Sequence, residues 1–100
     1  MSEGRRSTRR RAASVQQFVS IEIAASSAGL SPARVRHLVR VGLVQPAAVE
    51  LGQPLFGDIE VARLRKVRRL TTDLGVNLAG VEIILRLTEE LAAARGTTSQ

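Results

Sequence analysis

The sequence predicts a mostly α-helical domain of four helices, with a small β-hairpin between the second and the third. Apolar residues recur at helical spacing in four segments of the chain. Each segment has a capping residue before it and a glycine after it: Ser20, Ser31, Asp58 and Asn77 at the starts, and Gly29, Gly42, Gly75 and Gly96 at the ends. Phe18 and Phe56 are the only aromatic residues, so the core must be aliphatic, which favours packed helices over an aromatic-rich β-sandwich.

The first two predicted helices form a helix-turn-helix pattern between Ser20 and Leu43. Ser20 is a favourable N-cap, and the apolar residues after it have i, i+3, i+4, i+7 spacing: Ile21, Ala24, Ala25 and Ala28. Gly29 can adopt the left-handed conformation that ends a helix. Ser31 then provides a capping hydroxyl for the second helix, and Pro32 occupies a first-turn position that needs no N–H.

The second helix, over residues 32–41, is expected to bury one face and expose a basic one. A helical wheel separates two sets of residues: Val35, Leu38 and Val39 on one face, and Ala33, Arg36, His37 and Arg40 on the other. The second helix of a helix-turn-helix presents such a basic face to the DNA major groove. The alternative is an ordinary solvated basic surface. The DNA hypothesis requires the guanidinium groups to be accessible and not engaged with neighbouring carboxylates.

Residues 44–56 are expected to form a small β-hairpin, so the whole pattern is that of a winged helix-turn-helix. Prolines at 46 and 54 restrict its strands to a sheet edge. Asp58 is expected to cap a third helix that reaches about Asp73. The apolar residues of this helix fall in one arc: Ile59, Leu64, Val67, Leu70 and Leu74. Its remaining basic residues form either a phosphate-contacting face or a solvated one: Arg65, Lys66, Arg68 and Arg69, with Arg63 at the margin.

The fourth helix is predicted from Asn77 to about Ala94, with Gly96 as its stop. Its apolar residues cover about 220° of the circumference, whereas one core contact needs a stripe of about 100° or somewhat more. One side is expected to complete the core: Leu78, Val81 and Leu85. The other side is expected to need a partner or a second copy of the chain: Ile83, Leu87 and Leu91. The alternative is that a small domain wraps both sides.

The net charge of +6, from 15 basic and nine acidic residues, is concentrated at the N-terminus. Residues 1–14 hold five arginines and one glutamate, a net +4, and residues 15–100 hold ten basic and eight acidic residues, a net +2. We expect 1–14 to be a disordered Arg-rich tail, 15–95 the folded domain and 96–100 a frayed C-terminus. The excess of arginine fits a polyanionic partner such as nucleic acid.

The composition argues against an enzyme. The chain has no cysteine, no tyrosine and one histidine, so it has no credible nucleophile–base pair or metal cluster, and we expect no cofactor and no metal. No run approaches the ~20 apolar residues of a membrane span. We therefore expect a soluble cytoplasmic protein.

Two motifs resemble the MerR family of winged helix-turn-helix regulators. The family's second helix typically has the sequence Leu-Arg-Tyr-Tyr-Glu-x-x-Gly-Leu, and the run VRHLVRVGL at residues 35–43 retains Arg36 and the Gly42-Leu43 exit. Residues 73–81, DLGVNLAGV, are similar to the Gly-Val-Asn-Leu-Ala-Gly segment of the heat-shock repressor branch. They are equally similar to the small chaperone-modulator proteins, which bind the J-domain of a DnaJ-like co-chaperone. The resemblance spans about residues 18–95 and implies a four-helix winged domain.

Two features depart from the DNA-binding members. Their wing usually contains Gly-Tyr-Arg-x-Tyr, whose Arg and Tyr hold the phosphate backbone, whereas this chain has Gly-Gln-Pro-Leu-Phe at 52–56. Pro-Leu-Phe is closer to the modulator proteins. Family dimers pair through a long C-terminal helix, which Gly96 is expected to shorten here.

The leading hypothesis is a DNA-binding transcriptional regulator of the MerR type that binds double-stranded DNA. The residues expected to contact DNA are Arg34, Arg36, His37 and Arg40, with phosphate contacts from the tail residues Arg5, Arg6, Arg9, Arg10 and Arg11. The alternative is a chaperone modulator that binds the J-domain of a co-chaperone through protein–protein contacts. The expected partner or homodimer face is Ile83, Leu87 and Leu91.

Overall fold

The computed structural model describes residues 17–98, so the predicted 1–14 tail lies outside the described residues. Within them, the chain order is α1 (Ile21–Ala28), α2 (Pro32–Arg40), β1 (Ala48–Glu50), β2 (Gln53–Leu55), α3 (Asp58–Arg68), a π-helical turn (Arg69–Asp73) and α4 (Leu78–Thr98). This order confirms the predicted mostly α-helical winged helix-turn-helix with four helices and a β-hairpin. The chain divides into two compact units, one through Leu64 and one from Arg65 onward.

In the first unit, the predicted capping residues lie at the ends of the two helices of the helix-turn-helix. The Ser20 hydroxyl accepts a hydrogen bond from the Ile23 amide, and the Ser31 hydroxyl accepts one from the Arg34 amide at 3.0 Å. Gly29 ends α1 with a φ of 78°, in the left-handed region that a residue without Cβ adopts readily. The inward face of α1 is buried as predicted, and three of its side chains are alanines, which let a neighbouring helix approach closely: Ile21, Ala24, Ala25 and Ala28.

The β-hairpin is a two-stranded antiparallel ribbon in which Val49 lies opposite Pro54. Leu51 and Gly52 form its turn with φ angles of 52° and 77°, the positive values of a type I′ turn. After β2, the amides and carbonyls of Val19 and Phe56 exchange two hydrogen bonds of 2.9 Å. This backbone pairing ties the start of the described chain to the base of the hairpin, and the Phe56 side chain is fully buried.

Helix α3 begins differently from the prediction. Asp58 is the first helical residue rather than the cap, since the Gly57 carbonyl already accepts the Val61 amide at 2.9 Å. The Glu60 carboxylate accepts a hydrogen bond from the Gly57 amide at 2.9 Å, which is one half of a capping box. The prediction that Asp58 caps α3 was wrong because Glu60 supplies the side-chain acceptor from inside the first turn.

The predicted apolar arc of the third helix is only partly buried. Leu64 and Val67 are fully buried, but Ile59 and Leu74 are exposed over about two thirds of their surface. Leu74 lies just beyond the π-helical turn, and its amide donates to the Arg69 carbonyl at 3.1 Å, an i to i+5 bond. The wider turn shifts the helical phase, so Leu74 leaves the arc. Ile59 lies in the first turn of α3, at the end of the arc.

Helix α4 starts as predicted and ends later. The Asn77 side-chain oxygen accepts a hydrogen bond from the Gly80 amide at 2.8 Å. The helix then passes through Gly96 to Thr98, so the prediction that Gly96 stops it was wrong, and the segment expected to fray from residue 96 begins inside the helix. Alanines at 92–94 are strong helix formers, and a glycine costs a helix only about 1 kcal/mol relative to alanine. None of the helices in residues 17–98 is long and apolar enough to cross a membrane.

Candidate nucleic-acid interface

The exposed face of α2 is the candidate nucleic-acid interface. Val35 and Leu38 are fully buried and anchor the helix on its inner side. On the outer side Arg36 and Arg40 are exposed, and His37 lies beside them, half-buried. At 100° per residue these three side chains lie within an arc of about 100°. The predicted separation of an anchored apolar face from an accessible basic face is present.

Arg40 and His37 are joined by a contact of 3.3 Å between Nη2 of Arg40 and Nδ1 of His37. A guanidinium can only donate, so Nδ1 of His37 is the acceptor and its ring proton is assigned to Nε2. Nε2–H is then a donor available to an external acceptor. The pair provides several N–H groups on one turn of the helix, which suits phosphate or base-edge acceptors.

Arg36 does not entirely meet the requirement that its guanidinium be unpaired. Its Nη2 lies 3.8 Å from Oε2 of Glu22 on α1, and the two side chains are 55% and 65% exposed. The separation is that of an ion pair rather than a hydrogen bond, and pairs as exposed as this contribute about 0–1 kcal/mol. Arg36 is therefore accessible but partly neutralised. Across residues 17–98, no carboxylate forms a salt bridge with Arg34 or Arg40.

Arg34 lies on the first turn of α2, apart from the Arg36–His37–Arg40 cluster. Its side chain is half-buried, and its amide is the one capped by Ser31. Arg34 is about 60° around the helix from His37. It therefore lies at the margin of the basic face.

Arg63 supports the interface from α3, a role that the sequence did not predict. Its Nε donates to the Leu43 carbonyl at 2.7 Å, across 20 residues of sequence. Leu43 itself is buried, and its amide donates to the Leu38 carbonyl at 2.9 Å. The chain leaving α2 is thus fixed from both sides. An arginine among several on one helix gives no sequence signal that distinguishes it as the donor to Leu43.

The wing offers no positive charge. Residues 41–57 contain one ionisable side chain, Glu50, and it is exposed. Within the hairpin itself, residues 48–55, two large apolar side chains are also exposed: Val49, and Leu51 at the tip with its full surface accessible. A wing of this composition cannot hold phosphates as an Arg- and Tyr-containing wing would. The tail arginines lie outside the described residues.

The second unit has two surfaces that the sequence singled out. On α4, Val81 and Leu85 are buried, whereas three residues at i, i+4, i+8 spacing are each more than half exposed: Ile83, Leu87 and Leu91. The prediction of one buried side and one uncovered apolar side is confirmed within the described chain.

Among the basic residues after Leu64, Arg68 pairs with Asp73 at 4.0 Å. In the described part of the chain, no cluster of three His, Cys, Asp or Glu side chains could hold a metal ion.

Comparison with known proteins decides the family. The model of the MerR HTH family regulatory proteins matches residues 19–96. The chain belongs to this family. It is also 31% identical over 80 residues to a Streptomyces coelicolor protein named heat shock protein HspR. The alignment covers 80% of this chain and 53% of HspR, so the chain spans about half the length of the curated relative that it matches.

The family assignment confirms the resemblance inferred from the two motifs. The relative with a heat-shock name agrees with one of the two resemblances of the motif at residues 73–81, that to the heat-shock branch. The MerR family is one of regulatory proteins, and a winged helix-turn-helix with an accessible basic second helix is consistent with regulation of transcription.

Proposed function

We propose that this chain is a DNA-binding transcriptional regulator of the MerR type, and that α2 enters the major groove of double-stranded DNA. The observation behind the proposal is the outward, accessible cluster of Arg36, His37 and Arg40 on a helix that Val35 and Leu38 anchor from within. This cluster makes base or phosphate contacts. Arg34 and the tail residues Arg5, Arg6, Arg9, Arg10 and Arg11 add phosphate contacts that are sensitive to salt.

Heat-shock genes are the proposed targets. This step rests on the relative named as a heat shock protein and on the motif at residues 73–81. The wing limits how the specificity is achieved, because it contributes no cation. Base discrimination then depends on α2, where Arg to guanine contacts in the major groove are the commonest specific pairing.

The test is a titration of genomic DNA fragments over a salt series with the full chain. Replacing Arg36 and Arg40 together by alanine is expected to weaken duplex binding by about tenfold or more. If both residues contact phosphates, the salt dependence falls by about two units of slope. Arg86→Ala with Arg95→Ala is the matched control, since it removes the same charge from exposed positions on α4. Equal losses in the two double variants, or no loss in the first, would reject α2 as the DNA-binding helix.

A protein–protein function is the second candidate, and the uncovered face of α4 favours it. We propose that Ile83, Leu87 and Leu91 contact a J-domain co-chaperone or a second copy of this chain. Replacing Leu87 by Asp is expected to abolish the complex and leave duplex affinity almost unchanged. Pull-down with a purified J-domain and sedimentation analysis distinguish the two partners. A complex that survives the substitution would count against this face.

A further inference from the structure

Glu22 lies on α1, opposite the proposed DNA-contacting helix, and among the described residues its carboxylate is the one within ion-pair distance of Arg36. Oε2 of Glu22 and Nη2 of Arg36 are 3.8 Å apart. Both side chains extend into solvent, with more than half of their surface accessible. The distance exceeds that of a hydrogen bond, so the pair is held by charge alone and either member can exchange partners readily.

We infer that Glu22 is a specificity-determining residue that competes with DNA phosphates for the guanidinium of Arg36. The inference rests on the proposed function. A phosphate is recognised mainly as a charge, and the Glu22 carboxylate satisfies the same need from within the protein. Arg36 is therefore a weaker phosphate ligand than an unpaired arginine on the same face.

The Glu22 carboxylate weakens the contact of Arg36 with a base edge less than its contact with a phosphate. The guanidinium has five N–H donors in a fixed fork, and Glu22 approaches it at Nη2. The remaining donors stay available for the directed, bidentate contact that an arginine makes with a base. Glu22 thus lowers sequence-independent binding more than base-specific binding. This matters for a protein that also has five arginines at residues 5–11, where few acidic residues balance them.

A purely local role for Glu22 has to be separated from this one. Glu22 lies in the first turn of α1, where a negative charge also stabilises the helix dipole. That contribution does not depend on Arg36. A double-mutant cycle between the two residues therefore distinguishes a helix-stabilising carboxylate from one that acts through Arg36.

The experiment measures binding of a short duplex of random sequence to four full-length proteins over a salt series. The proteins are the wild type, Glu22→Gln, Arg36→Gln and the double variant. Glu22→Gln is expected to bind about threefold more tightly at low salt, the size expected for an exposed ion pair. Its salt dependence is expected to steepen by about 0.9, the slope of one added phosphate contact. In the Arg36→Gln background, the same substitution is expected to change neither quantity.

Glu82→Gln on α4 removes one exposed carboxylate elsewhere and is expected to leave affinity unchanged. No gain in Glu22→Gln, or an equal gain on the Arg36→Gln background, would overturn the inference while leaving the proposed function intact. A wild type that does not bind duplex at all would overturn the proposed function, and the inference with it. Thermal unfolding of each variant reports any loss of folded protein.

Discussion

The Nε of Arg63 donates to the backbone carbonyl of Leu43 at 2.7 Å, and this bond links α3 to the exit of the proposed recognition helix. Leu43 is buried, so its carbonyl has little access to water. A buried acceptor bonded to a charged donor is costly to leave unsatisfied. Arg63 is therefore a structural residue, although it lies among basic residues that could be taken for a DNA-binding face.

Replacing Arg63 by alanine is expected to lower the free energy of unfolding by about 1–3 kcal/mol, because the Leu43 carbonyl loses its donor. Chemical denaturation measures the change. Arg69→Ala is the control: it removes an exposed arginine and is expected to cost less than about 0.5 kcal/mol. If Arg63→Ala were as stable as Arg69→Ala, the bond would not fix the end of α2.

Gly80 and Gly96 occupy the same helix and are expected to respond oppositely to alanine. A Cβ on Gly80 would lie 2.8 Å from Cγ1 of Val76, whereas nothing lies within 4 Å of one on Gly96. Val76 is β-branched and stiff, so Gly80→Ala is expected to destabilise by about 1 kcal/mol despite its better helix propensity. Gly96→Ala is expected to stabilise by up to about 1 kcal/mol. Thermal unfolding of both variants tests the pair, and stabilisation by Gly80→Ala would show that Val76 gives way easily.

The wing tip has a left-handed residue that is not glycine. Leu51 has a φ of 52° and its side chain is completely exposed, so replacing it loses no packing. Asparagine adopts this conformation far more readily than leucine and is a preferred residue of type I′ turns. Leu51→Asn is expected to raise the free energy of unfolding by about 0.5–1 kcal/mol, and Leu51→Val to lower it. If both variants lost stability, the Leu51 side chain would have a role beyond the turn.

How much of this architecture follows from sequence depends on the range of the interactions. The caps at Ser20, Ser31 and Asn77 were predicted correctly because a cap involves residues only two or three positions apart. The exposure of Leu74 was not predicted, because one wider turn changes the phase of every residue after it.

In the candidate site, too, sequence predicts the local features but not the contacts between distant residues. The basic face of α2 follows from helical periodicity within nine residues, so sequence predicts it well. The Glu22–Arg36 pair depends on how two helices cross, and the Arg63–Leu43 bond joins residues 20 positions apart. No local pattern indicates either contact. The polar contacts that modify the site could therefore be found only from the structure.

The two sides of α4 are expected to differ sharply in what they contribute to stability. Leu85 is 3% exposed and Leu87 is 58% exposed, although they are two positions apart on one helix. Leu85→Ala removes buried methyl groups and is expected to cost about 2–5 kcal/mol, whereas Leu87→Ala is expected to cost less than about 1 kcal/mol in an isolated chain. Urea denaturation at several protein concentrations measures both values. A large cost for Leu87→Ala that grows with concentration would show that this face is covered by a second copy, because self-association stabilises the folded state by mass action. A large cost independent of concentration would instead show that Leu87 belongs to the core of its own chain.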